Sequence, residues 1–205
     1  MKVDFKKVQK ELYAPQSSHF SVVDIPTMNY LMFDGEGDPN TSKDYVAALE
    51  ALYSVSYTLK FFSKQDLGRD YVVPPLEGIW WADDMNTFVS RQKSLWKWTM
   101  MIRVPEWLTE KQVEAAVVKA SVKKTGLRHS EVRFKEYSEG LCVQIMHIGS
   151  YDEEGPTLKK LHQEFLPENG LVESGHHHEI YLGDPRKTEP SRLKTILRQP
   201  VKRKK

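Results

Sequence analysis

The sequence predicts an α+β domain, an antiparallel sheet with helices on one face. Three observations predict it. Apolar residues alternate with period two in short runs separated by turn chemistry. Two longer segments carry helical periodicity behind capping residues. The order strand, helix, strand, strand occurs twice, over about 27–105 and about 130–200. Identity between the halves is slight, so the order of elements is the sign of a duplicated unit. At 205 residues the chain fits one domain, or one domain made of two similar halves.

Taken in order, residues 1–20 are polar and read as an N-terminal arm or a frayed helix. Val22–Pro26 leads into Thr27–Phe33, the first strand. Thr41 or Ser42 caps a helix over about 43–64, whose apolar side is Tyr45, Leu49, Leu52, Tyr53, Tyr57 and Phe61. The glycines of Asp34–Asn40 match neither a Walker A nor a Rossmann spacing. Leu76–Trp81 is extended, Asp83–Asn86 turns, and Leu95–Val104 is a strand stopped by Pro105. Thr109 and Gln112 form a capping box for a helix that ends at Lys123–Gly126. Strands follow at Val132–Tyr137 and Leu141–Ile148, with Ser138–Gly140 as the turn between them. Pro156 opens a helix finished by Asn169-Gly170. His176–Leu182 and Leu193–Gln199 are the last strands, and residues 202–205 form a basic, solvated tail.

Composition narrows the function. Lys and Arg number 30 against 28 Asp and Glu, a net charge of +2, so no global charge argues for nucleic acid or a membrane surface. No segment approaches the ~20 apolar residues of a membrane span, and no signal peptide is visible. The single cysteine, Cys142, lies between apolar neighbours and reads as a core residue in a reducing, cytoplasmic setting. Five Trp, nine Tyr and eight Phe, with seven Met, suit either a core or a pocket for a flat ligand.

His176–Pro185 carries the most specific chemistry. Alternation puts His176, His178, Ile180 and Leu182 on one strand face and His177, Glu179 and Tyr181 on the other. The second face is either wet or a ligand site, because burying a carboxylate costs free energy unless something pairs with it. The histidines alternate, so they do not converge on one metal ion, and no cofactor is expected. No nucleophile elbow occurs. In the loop after His147, Asp152 reads as an ordinary helix cap, while Tyr151 and His147 stand where they can face a cleft.

Four pieces together resemble the GyrI-like small-molecule-binding proteins. They are Pro75–Trp81, Trp98–Arg103, Glu139–Tyr151 and His177–Lys187 with Lys194–Val201, spanning about 20–201. That family shares its fold with effector-binding domains of multidrug transcription regulators. The resemblance implies two strand-helix-strand-strand (SHS2) repeats related by a pseudo-twofold, one domain over about 21–201, and a ligand groove between the repeats. It implies a stand-alone member, since no helix-turn-helix segment precedes the domain, and some stand-alone members hydrolyse the cyclopropane of DNA-alkylating natural products. It matches Glu179 to the family's late-strand glutamate at the base of an aromatic pocket; as an enzyme, Glu179 is the general base, and Tyr181 or Tyr151 hydrogen-bonds the developing phenolate. Trp80, Trp98, Met101, Tyr137, His147 and Tyr151 are assigned to a small aromatic ligand, electrophilic or cationic. Direct nucleic-acid binding is not expected, and the oligomeric state is left open. The alternative is a non-catalytic binder or sensor.

Overall fold

The computed structural model describes residues 2–84 and 86–204, and Val89 by its backbone alone. Met85, placed by the sequence in a turn, and Lys205 of the tail lie outside the described residues. In chain order the helices are α1 (Phe5–Val8), α2 (Lys10–Tyr13), α3 (Lys43–Asp66), α4 (Asn86–Val89), α5 (Glu110–Lys123), α6 (Gly155–Lys160) and α7 (Leu166–Glu168). The strands are β1 (Ser21–Ile25), β2 (Met28–Glu36), β3 (Leu76–Trp81), β4 (Lys97–Val104), β5 (Arg133–Tyr137), β6 (Gly140–Ile148), β7 (Leu171–Glu173), β8 (His177–Tyr181) and β9 (Lys194–Arg203). The fold is α+β and antiparallel, as the periodicity predicts.

The chain forms two compact units. The first contains residues 1–8 and 28–137. Its strands run in the order β3-β4-β2-β5, all antiparallel. Its long helix α3 starts at Ser42, whose hydroxyl accepts from the Tyr45 amide at 3.3 Å. The buried stripe of α3 differs from the expected one. Ala48, Ala51, Leu52, Val55, Ser56, Leu59 and Ser63 are covered, while Tyr57 and Phe61 are about half exposed. Small residues let the helix backbone approach its neighbours closely, and the large rings are left outside that contact.

Helix α5 begins as expected. The Thr109 amide donates to Gln112 Oε1 at 2.9 Å, completing the capping box. Thr109→Ala removes one half of it and is expected to cost about 1 kcal/mol. In a chain of this size that lowers Tm by roughly 2–4 °C in a thermal melt.

The second unit contains residues 9–27 and 138–205. Its order is β1-β6-β9-β8, with short β7 also paired to β9. The strand, helix, strand, strand sequence of β6, α6–α7, β8 and β9 matches that of β2, α3, β3 and β4. Each set places its third strand between the other two. Each unit's set of strands is also completed by a strand out of sequence. β1 lies directly before β2 in the chain but pairs with β6, and β5 lies directly before β6 but pairs with β2.

Between α6 and α7 the helix widens into a π turn over Leu161–Phe165. It stands just before Pro167, which lacks an N–H and clashes with the carbonyl four residues back. Leu161 and Leu166 from this helix pack on Val143, Leu171 and Val201.

The first twenty residues, read as an arm, carry two helical turns with buried side chains. In the first unit Phe5 stacks on Trp107, ring centroids 6.2 Å apart, and lies under the Arg103 guanidinium at 4.4 Å. In the second unit Leu12 and Tyr13 are buried. The basic tail is not wholly free either, because β9 runs on to Arg203 and pairs it with Leu171.

Candidate functional site

The turn after β8 is built by its own side chains. Asp184 accepts from the Arg186 amide at 3.0 Å and from Arg186 Nε at 2.9 Å. Those bonds hold the Asp184 carboxyl down at about 2. With β8 fixed at that end, its alternation is as expected. His178 and Ile180 are fully buried, and His177, Glu179 and Tyr181 share the opposite face, partly covered.

Glu179 is the centre of that face. Its side chain is 15 % exposed and the His177 side chain 12 %. Tyr181 donates its hydroxyl to Glu179 Oε2 at 2.7 Å. His177 Nε2 lies 3.3 Å from Oε1. That approach is not aligned as a hydrogen bond, and neither ring nitrogen of His177 has a hydrogen-bond partner among the described residues. Tyr151 meets the Tyr181 ring edge-on at 5.6 Å. Burial, then the charges of Glu179, Glu154 and Asp184, push the Tyr151 hydroxyl up to about 12. It is therefore a protonated donor across the neutral range. The second unit thus brings together Glu179, Tyr181 and Tyr151 from the expected set.

His147 has a different task. Its Nε2 lies 3.0 Å from the Ser150 carbonyl, so the ring braces the loop after β6. In that loop Glu153 makes the capping box, accepting from the Ser150 amide at 2.9 Å and its hydroxyl at 2.8 Å.

The remaining expected ligand residues belong to the first unit. Trp98 and Met101 are fully buried. The Trp98 ring fills the space over Gly35, meets Tyr45 edge-on at 5.2 Å and donates Nε1–H to the Gly37 carbonyl at 3.3 Å. That ring is core, with no open face for a ligand. Trp80, 5 % exposed, joins the same aromatic group through Tyr45 and Trp96. Tyr137 is half-buried and meets Tyr30 edge-on at 6.4 Å.

Sequence reasoning passed over several groups. Glu77 on β3 is a wholly buried carboxylate. A lone Glu inside Leu76–Trp81 was the available signal. Glu139, placed in a turn, is buried with His178 and Arg198. His178 Nδ1 stands 2.9 Å from its Oε1 and Arg198 Nη1 3.2 Å from its Oε2. Arg198 also donates to Gln144 Oε1 and to the Leu12 carbonyl. Nothing local in the sequence connects these residues. Two hollows of about 300 and 490 Å³ open beside residues 11–24 of the second unit, and none of the expected site residues lines either. Among the described residues no three His, Cys, Asp or Glu side chains are placed to hold a metal ion.

The sequence profile of the GyrI-like small molecule binding domain matches residues 19–202. The chain belongs to that family. This GyrI-like chain is 42 % identical to an uncharacterised conserved protein from Listeria innocua, covering 98 % of this chain and 100 % of that one, with a TM-score of 0.91. A protein from Listeria innocua named a hydrolase is 41 % identical with the same coverage and a TM-score of 0.86. The C-terminal domain of EcmrR shares the fold at 10 % identity and a TM-score of 0.56, covering 90 % of this chain and 98 % of that one. None of the curated proteins compared matches this GyrI-like chain. No helix among its described residues is long and apolar enough to cross a membrane.

Proposed function

We propose that this GyrI-like protein hydrolyses a strained cyclopropane in a flat, electrophilic aromatic ligand, as cellular protection against DNA-alkylating compounds. The observation that carries this reading is Glu179, a largely buried carboxylate bracketed by a phenol and an imidazole on one strand face. A carboxylate so placed suits general base catalysis, worth roughly a hundredfold to ten-thousandfold in rate. The Listeria innocua relative at 41 % identity that is named a hydrolase supports the reaction class. A lone, wholly buried Cys142, its thiol pushed up by burial, fits a reducing cytoplasm.

In the reaction, Glu179 takes a proton from water as the water oxygen bonds to the cyclopropane methylene. The ring C–C bond breaks, and its electron pair moves through the dienone to the carbonyl oxygen, which becomes a phenolate. Tyr151 supplies a hydrogen bond to that developing charge, consistent with its protonated hydroxyl. Tyr181 holds the base in position until water is bound.

The test is a mass measurement. A cyclopropane-bearing alkylator incubated with the parent protein gains one water. With Glu179→Gln, turnover falls by roughly a hundredfold or more, while quenching of Trp fluorescence by the ligand is kept. Hydrolysis at the parent rate in that variant removes Glu179 as the base. Unchanged ligand with strong quenching by the parent makes the protein a binder, with Glu179 as counter-charge to a cationic aromatic ligand.

A further inference from the structure

The surroundings of His177 reach past Glu179 towards solvent. His162, on the π turn between α6 and α7, lies with its Nδ1 2.7 Å from Glu173 Oε1 on β7. The Glu173 side chain is 52 % exposed and that of His162 30 %. Glu173 is held below the ordinary carboxylate range by the bond from His162, against burial, and further by the charges of His162 and His177. Along β9, Glu173 stands opposite Val201 and His178 opposite Arg198, so Glu173 and His177 are near neighbours on that strand's edge, and the groups run Glu179, His177, Glu173, His162. His177 is the pivot. Its side chain is nearly covered, it stands 3.3 Å from the base, and both of its ring nitrogens are without hydrogen-bond partners among the described residues. A buried imidazole normally has at least one nitrogen satisfied. An imidazole free at both sides can take a proton at one nitrogen and release another at the other.

We propose that His177 relays the proton from Glu179 to Glu173 and solvent, resetting the base after each addition of water. The inference rests on the hydrolase reading above. In each cycle the proton that Glu179 took from water passes from Oε1 to His177 Nε2. The ring then releases its Nδ1 proton towards Glu173, which exchanges it with solvent, and exchange of the ring protons with water returns the imidazole to its Nδ1–H tautomer before the next turnover. The phenolate product takes one proton from water, so the sum is one water added to the ligand. His177 acts through Glu179, 3.3 Å away, which makes it a positioning and relay residue.

The test has two arms. In the first, His177→Gln keeps a polar side chain of similar reach without a relay function. It is expected to lower kcat tenfold or more with KM unchanged, and added imidazole is expected to restore kcat in proportion to its concentration. The parent does not respond to imidazole. A fall in kcat that imidazole leaves in place, or a KM change alone, overturns the relay. In the second arm the ring-nitrogen NMR shifts of His177 are followed in the free protein. They are expected to move in Glu179→Gln and in Glu173→Gln and to stay in place in Glu110→Gln. Shifts unmoved by Glu173→Gln overturn the relay whatever the activity shows. If the parent hydrolyses no cyclopropane, the hydrolase reading falls by itself, and the NMR arm alone decides whether His177 couples the two carboxylates.

Discussion

Replacing Arg198 with methionine is expected to destabilise the protein by about 3–5 kcal/mol, the cost of leaving a buried charge without its partner. The Arg198 and Glu139 side chains are each 1 % exposed. Removing the guanidinium leaves Glu139 with His178 alone and orphans Gln144 Oε1 and the Leu12 carbonyl. The loss reaches the N-terminal segment too, because Arg198 and Gln144 hold it through the Leu12 and Glu11 carbonyls. Urea denaturation measures the effect. Adding Glu139→Gln to Arg198→Met is expected to recover part of the loss, since the stranded carboxylate is then gone. A single variant within 1 kcal/mol of the parent would show that the cluster is solvated rather than buried.

The same cluster contributes to the acid sensitivity of the fold. Burial pushes the Glu139 carboxyl up, but the charges of His178 and Arg198 outweigh it and hold the group below its usual 4.5. A carboxylate depressed in the folded state stabilises it above the unfolded pKa, and that contribution is lost as pH falls through the folded one. The stability that Glu139 contributes is therefore expected to be lost only at pH values below about 4.5. In Arg198→Met, where burial is opposed by His178 alone, the loss is expected to begin at higher pH.

A methyl group at Gly35 is expected to cost about 3 kcal/mol or more, the upper range for overpacking a core. The added Cβ would stand 2.1, 2.4 and 2.6 Å from three Trp98 ring carbons. The ring cannot easily turn aside, because Tyr45 meets its edge and Gly37 accepts from its Nε1–H. Gly35 and Trp98 are also register partners on β2 and β4, so the strands would have to part. Denaturation of Gly35→Ala, with the near-ultraviolet circular dichroism of its Trp residues, reads both effects. Trp98→Leu in the same chain is expected to relieve much of the strain. A Gly35→Ala protein as stable as the parent would mean that the Trp98 ring has room to move.

Local patterns were legible in the sequence, and distant pairings were not. Period-two alternation placed Glu179 between His177 and Tyr181, because a strand face needs only its own residues to be read. Capping chemistry placed the starts of α3 and α5 for the same reason. Charge burial at Glu139 and Arg198 is different. The two stand 59 positions apart, and each alone reads as a surface residue. The α3 stripe was misplaced because hydrophobicity favours Tyr57 and Phe61, whereas close packing favours Ala48 and Ala51. β7 is three residues long, too short for a period to show. In β1 the adjacent Val22 and Val23 hide the alternation that pairing with β6 imposes. Trp98 was assigned to the ligand by residue type, and only the space over Gly35 shows why a large ring is needed there.

The exchange of outer strands has a consequence for how the protein is made. Ser21 and Gln144 are register partners 123 positions apart. During synthesis β1 therefore leaves the ribosome long before β6 exists, and it must wait with both backbone edges unsatisfied. No single cut yields two self-sufficient halves: a fragment ending at residue 137 keeps β1 without β6, and one starting at 138 lacks β1 altogether. Contacts of such long range slow folding and leave strand edges open to pairing between molecules. Nascent or truncated chains are thus the forms of this protein most exposed to aggregation, and release of the finished chain is what closes that window.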